Sequence, residues 1–248
     1  MPFKVQVGPH QISIHQGQTV LVSESDGQIR WPSEKGLYFL DTRVVSSWTI
    51  YANGEPWILL NGGAITYYAS RTYLTNREIP TADGVIPSRT LGLVIRRMIN
   101  GGVHEDLDLT NNSMQRVRFQ LEIALRCDFA DIFEVKSNNI VRRGRITTDW
   151  SHAKQELRTS YRNGDFARAV TIAPARDQPS GIYANGRLSF EISLEPGDAW
   201  HCCLLYIVGR RRPVLSGAAP VRRRPSKNGP RGNLVGLVAV RAQDPHQQ

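Results

Sequence analysis

The chain has 248 residues, 40% of them hydrophobic, with a mean hydropathy of −0.34. No stretch approaches the roughly 18 apolar residues of a membrane helix, and the opening MPFKVQVGPHQ lacks the apolar run of a secretory signal, so a cytoplasmic protein without a membrane partner is expected. The formal charge of +9 belongs to the end of the chain: residues 210–248 hold nine Lys or Arg against the single acid Asp244, and the other 22 basic and 21 acidic residues leave a body of +1. A body so nearly neutral offers no basic face, which argues against a nucleic-acid partner. Cys127 and the adjacent Cys202 and Cys203 make neither a disulfide framework nor paired Cys-x-x-Cys zinc spacing. Buried free thiols are the expectation, and no cofactor or metal is called for.

In chain order, period-two alternation dominates the first two hundred residues. SSWTIYANGEPWILL (46–60) reads as a hairpin around Asn53-Gly54, and RRMINGGVHEDLDL (96–109) as a second around Asn100-Gly101. Asn-Gly recurs at 61–62, 163–164 and 185–186. It suits a tight hairpin turn because both turn positions need positive φ. RVRFQLEIAL (116–125) is the clearest strand, with Val117, Phe119, Leu121, Ile123 and Leu125 on one face and Arg116, Arg118, Gln120 and Glu122 on the other. TTDWSHAKQELRTSY (147–161) allows a turn or two of helix at Ala153–Leu157. RLSFEISLEPGD (187–198) returns to alternation and ends in a turn at Glu195–Asp198. The expected fold is all-β: a large antiparallel β-sandwich over residues 1–208, with an eight- to ten-stranded barrel as the alternative. Residues 209–248, with two Arg-Arg-Arg-Pro runs and one apolar run at 234–240, read as a disordered basic tail.

RCDFADIFEVK (126–136) concentrates the candidate chemistry. Asp128, Asp131 and Glu134 fall three apart, with Phe129, Ile132 and Phe133 between them. Paired carboxylates serve as acid and base in glycoside hydrolysis. Asp131 and Glu134 stand about 10 Å apart if extended, at ~3.3 Å per residue, and are neighbours on a helical turn. Catalytic pairs face each other across a cleft, whereas these acids share one segment between Arg126 and Lys136, which favours structural or interface duty. The six histidines lack metalloprotease spacing, and neither a Gly-x-Ser-x-Gly elbow nor a phosphate-binding glycine loop occurs. Trp31, Trp48, Trp57, Trp150 and Trp200 offer two readings: core bulk or sugar-stacking platforms.

YFLDTRVVSSWTIYANGEPWILL, RRMINGGVHEDLDLTNNS and RCDFADIFEVK, in that order, resemble the N-terminal domain of bacterial and archaeal glycogen-debranching enzymes of the amylo-α-1,6-glucosidase type. The matching positions are Phe39, Asp41, Thr42, Arg43, Ser47, Trp48, Asn53 and Gly54, then Gly102, Glu105, Leu107, Leu109 and Asn111, then Asp128 through Lys136. The resemblance covers about residues 10 to 205. It implies a β-supersandwich that sits before a six-hairpin α/α barrel, where the barrel's carboxylates hydrolyse α-1,6-linked glucose at glycogen branch points. Only about forty residues follow Tyr206, so this chain is expected to lack the barrel, and no catalytic residue is carried over. The resemblance thus implies a non-catalytic accessory domain, truncated or frame-shifted near Gly209, touching glycogen-like α-glucan weakly or indirectly. A catalytic α/α-barrel domain is the partner implied by full-length relatives. Asp41, Arg43, Asp128, Phe129, Asp131, Phe133 and Glu134 are then a structural or interface motif, whose apolar members anchor an edge. A stand-alone carbohydrate-binding β-sandwich module is the alternative.

Overall fold

The computed structural model describes residues 10–209. Expectations for residues 1–9 and for the tail 210–248, its disorder and its lost reading frame included, lie outside the described residues. The chain opens with β1 (Gln11–Gln16), β2 (Thr19–Glu24), β3 (Gly36–Phe39), β4 (Thr42–Val45), β5 (Ser47–Ala52) and β6 (Glu55–Pro56). Two hairpins follow, β7 (Ile58–Thr66) with β8 (Ala69–Thr75), then β9 (Ile79–Thr81) with β10 (Gly84–Ile86). Next come the long strands β11 (Leu91–Ile99), β12 (Val103–Asn111) and β13 (Val117–Arg126), then β14 (Ala130–Asp131) and α1 (Ile132–Lys136), the single helix among the described residues. The chain continues through β15 (Arg145–Ser151), β16 (Glu156–Asn163), β17 (Phe166–Pro174), β18 (Ile182–Ala184), β19 (Arg187–Leu194) and β20 (Ala199–Gly209). No helix of the described residues is long and apolar enough to cross a membrane.

These strands build an eight-stranded sheet in the order β15-β16-β17-β20-β12-β11-β8-β7 and two five-stranded sheets, β18-β19-β13-β5-β6 and β1-β2-β3-β4-β14. The large sheet stays open, with β15 and β7 as its edges, so the architecture is a sandwich and not a barrel. Alternation explains the layering. On β13, Val117, Phe119, Leu121, Ile123 and Leu125 are buried while Arg118 and Gln120 face solvent. Phe119, Leu121 and Ile123 lie opposite Ile192, Phe190 and Leu188 of β19, and one apolar cluster joins the inner faces of all three large sheets. Each such side chain contributes about 1.5–3 kcal/mol through burial.

Turn chemistry holds at four of the five Asn-Gly pairs among the described residues. Asn53-Gly54 (φ 48° and 83°) and Asn185-Gly186 (φ 51° and 78°) form two-residue turns, and Gly101 and Gly164 take positive φ between β11 and β12 and between β16 and β17. Asn61-Gly62 lies within β7 instead. A Cβ on Gly62 would stand 2.7 Å from the Ser25 carbonyl oxygen, so close packing and not a turn requires glycine there.

The helix expected at Ala153–Leu157 is a hairpin: β15 and β16 pair from Arg145 opposite Arg162 to Ser151 opposite Glu156, joined by a turn in which Gln155 takes φ 53°. Ile146, Trp150, Leu157 and Tyr161 alternate onto the core side, and that burial outweighs the weak helical preference of the turn. All three cysteines are free, with Cys202 buried and Cys127 and Cys203 half-buried. Trp48 and Trp57 are core residues, Trp150 and Trp200 pack partly buried against the core, and Trp31 is exposed.

Two charged side chains sit inside the apolar layer. Arg97 on β11 lies opposite Glu105 on β12, and its Nε donates to Glu105 Oε2 at 2.6 Å. The Tyr206 hydroxyl donates to Glu105 Oε1 at 2.7 Å and accepts from Trp48 Nε1 at 2.8 Å. Arg97 also donates through Nη1 to the Gly27 carbonyl, and its guanidinium lies 4.3 Å from the centre of the Trp48 ring. The network thereby ties the large sheet to β5 and to the β2–β3 connection at Gly27, and both carboxylate oxygens of Glu105 and the Tyr206 hydroxyl have partners.

Candidate interface around the Asp128–Lys136 segment

Where β13 leaves its sheet, the chain turns sharply. Phe129 adopts φ 53°, a conformation that costs a bulky L-residue of order 1–3 kcal/mol. Long-range contacts hold it there. The Phe129 ring is buried and stacks on Tyr161 at 5.8 Å with planes 15° apart, and Tyr161 meets Phe166 edge-on. One residue earlier, Asp128 receives the fully buried guanidinium of Arg43: Nη2 to Oδ2 at 2.5 Å and Nε to Oδ1 at 3.3 Å. Arg43 Nη1 donates to the Ser33 carbonyl at 2.5 Å, and the guanidinium lies 5.7 Å from the exposed Trp31 ring. Gly36 makes room for this arginine, since a Cβ there would stand 2.6 Å from Arg43 Cδ.

The next residues form a bridge and a single helical turn. Ala130 and Asp131 pair with Arg43 and Thr42 of β4, and Ile132 N–H donates to the Asp41 carbonyl at 2.9 Å. Asp131 caps α1 by accepting from Phe133 N–H at 2.8 Å, while Glu134 reaches back to Asp131 N–H at 3.4 Å, a reciprocal capping box. Glu134 also pairs with Arg143. Ser137 N–H closes the helix on the Phe133 carbonyl at 2.9 Å.

Asp41, Asp128, Phe129, Asp131 and Glu134 converge on one groove of about 210 Å³, shared with Arg143 and Tyr161. All three carboxylates of the 128–136 segment are engaged: Asp128 by Arg43, Asp131 by the helix N-terminus, Glu134 by Asp131 N–H and Arg143. Asp41 is the exposed acid, 4.0 Å from Arg168. The apolar residues divide, and edge anchoring describes only part of them. Phe129 and Val135 are buried, whereas Phe133 is 77% exposed because the cap fixes the helix with that position outward.

Sequence reading missed Arg143 and Tyr161, which enter from later elements, and the Arg97–Glu105–Tyr206–Trp48 network. The network did leave a trace. In LGLVIRRMI and VHEDLDLTN, Arg97 and Glu105 occupy inward positions of otherwise apolar alternations.

The sandwich and this segment place the chain in a known class. It belongs to the family described as the N-terminal domain of (some) glycogen debranching enzymes, which matches residues 14–205. No curated protein matches it. Among solved structures, a protein assigned as a kojibiose phosphorylase, from the human microbiome, aligns over 79% of this chain with 10% identity and a TM-score of 0.53. That likeness shows the fold; the chain spans 30% of that structure's length. A protein assigned as an aldose 1-epimerase, from Escherichia coli K12, aligns over 81% of this chain and 99% of its own, with 10% identity and a TM-score of 0.48.

Proposed function

We propose that this chain is the accessory, non-catalytic β-domain of a glycogen-debranching-type glycoside hydrolase, and that the Asp128–Lys136 segment docks a helical catalytic domain. The hydrolysis of α-1,6-linked glucose then belongs to that catalytic domain. One observation carries the reading: a large apolar side chain, Phe133, stands 77% exposed on a helical turn that a capping box, a strand bridge and the Glu134–Arg143 pair hold rigid. An aromatic ring on a backbone already held in place makes an efficient anchor, because docking has only the ring's own two torsions to order. Asp128, Asp131 and Glu134 are committed to structure and not free for acid–base work. Three free cysteines without a disulfide fit a reducing compartment such as the cytoplasm.

Two assays test the reading. The purified chain is expected to release no glucose from glycogen or from small α-1,6-linked oligosaccharides. Release that disappears in Asp131→Asn or Glu134→Gln overturns it. Mixed with the separately expressed helical domain of a family member, the chain is expected to co-elute on gel filtration, and Phe133→Ala to abolish co-elution. Co-elution that survives Phe133→Ala removes the segment from the interface.

A further inference from the structure

A second groove, which shares no lining residue with the one at the Asp128–Lys136 segment, lies between the β9–β10 hairpin with its exit (81–90) and the β12–β13 connection with the start of β13 (112–118). At about 590 Å³ it has the size of a small-molecule site, ~300–1,000 Å³. Two buried asparagines hold its walls. Asn76 Nδ2 donates to the Arg77 and Pro87 carbonyls at 2.6 and 2.8 Å, and its Oδ1 accepts from Thr90 and Leu91 N–H at 2.9 and 2.8 Å. Asn111 does the same for the other wall: Nδ2 donates to the Gln115 carbonyl at 2.8 Å, and Oδ1 accepts from Ser113 N–H and Oγ at 3.0 and 2.7 Å. Asn112 N–H then joins the walls by donating to the Thr90 carbonyl at 2.8 Å. The groove is therefore pre-organised, and a ligand would meet little ordering cost.

Its chemistry narrows the ligand. Arg116 is occupied, by Glu195 at 3.2 Å and by Ser193 Oγ. The side chains of Asp83 and Arg118 have no hydrogen-bond or ion-pair partner among the described residues. One free carboxylate and one free guanidinium leave no net charge, which disfavours phosphates and polyanions. No aromatic ring lines the groove, which leaves a nucleobase without a stacking partner and a sugar to be held by hydrogen bonds and aliphatic contacts alone. What remains is a mixture of hydroxyls and amides (Thr81, Thr90, Ser113, Asn112, Gln115) beside the aliphatic Val85 and Met114. That lining suits a neutral polyol with apolar faces: sugar hydroxyls donate to the carboxylate and accept from the guanidinium.

We infer that this groove is a binding site for a short neutral α-glucan segment, held between Asp83 and Arg118. Only the choice of α-glucan among neutral glycans rests on the proposed function. The test titrates the full chain with maltoheptaose by calorimetry, comparing Arg118→Ala, Asp83→Ala and the groove-filling Val85→Trp, each checked for an unchanged melting temperature. Saturable binding is expected, weakened about tenfold by Arg118→Ala or Asp83→Ala, abolished by Val85→Trp and unchanged by Phe133→Ala. Absence of saturable binding overturns the site, as does binding that survives Val85→Trp. Tighter binding of glucose 6-phosphate than of maltose overturns the ligand class. Each of these failures leaves the hydrolysis and co-elution results untouched, so the two proposals fail separately.

Discussion

Arg43 and Asp128 are 85 residues apart in sequence, yet a fully buried guanidinium meets its carboxylate at 2.5 and 3.3 Å. The pair fastens the end of β13 to β4 and, through the Ser33 carbonyl, to the loop before β3. A charge that loses such a partner stays buried without compensation, at a cost of about 3–5 kcal/mol. Arg43→Ala and Asp128→Ala are each expected to lower unfolding free energy by that order in urea titration. In the double variant the losses are expected not to add, since the second substitution removes a partner already missing. Additive losses would show that the two side chains act independently.

Gly36 and Gly63 separate packing from conformation, because neither needs a positive φ. A Cβ on Gly36 would meet Arg43 Cδ and the Val45 carbonyl, both at 2.6 Å, while one on Gly63 meets nothing within 4 Å. Gly36→Ala is expected to cost about 1–3 kcal/mol through overpacking. Gly63→Ala is expected to leave stability within about 0.5 kcal/mol or to raise it slightly. Thermal melts of the two variants decide this.

Burial sets the response to alkali. The Tyr206 hydroxyl lies against Glu105, and burial first and then the carboxylate's charge raise its pKa well above 10.0. Burial, then Cys203, Glu105 and Asp106, push the Cys202 thiol from 9.0 up to about 12. Both groups stay protonated in the fold at pH values where the unfolded chain has released its protons. The stabilisation is therefore complete below about pH 9, and as pH rises above the unfolded values each group removes about 1.4 kcal/mol per pH unit. Burial pushes the Cys127 and Cys203 thiols up to about 12 as well, so Cys202→Ala is expected to remove about a third of the first part of that fall, between about pH 9 and 10, in urea melts collected across the range. An equally steep fall in that variant would exclude the thiol as a cause.

The helical turn offers a comparison two residues wide. Asp131→Ala removes the cap and is expected to cost about 1 kcal/mol. Phe133→Ala removes an exposed ring and is expected to change stability by less than about 0.5 kcal/mol. A large loss in Phe133→Ala would mean that the ring packs within this chain and is not held out for a partner.

Local pattern by itself determined much of this protein. Val117 to Leu125 and Leu188 to Leu194 alternate so regularly that their inward faces follow from the two-residue period of a strand. Asn53-Gly54 and Asn185-Gly186 fix their hairpins because adjacent positive φ values suit that pair. Three ordered motifs carried the family. The same local logic misled at Asn61-Gly62 and at Ala153–Leu157, where a close approach to Ser25 and pairing with β15 prevailed over turn and helix preference. Glu105 and Arg97 stood out as charges at inward positions, but only the register of β11 and β12 sets them opposite each other. Asp128, Asp131 and Glu134 looked alike in sequence. Each has a different duty, and only that of Asp128 needed the tertiary structure: Arg43 reaches it from 85 residues away, whereas Asp131 caps its own helix two residues on and Glu134 meets Arg143 nine residues on. Backbone preference acts between neighbours in sequence, whereas the partner of a buried charge depends on which distant strands a sheet brings together.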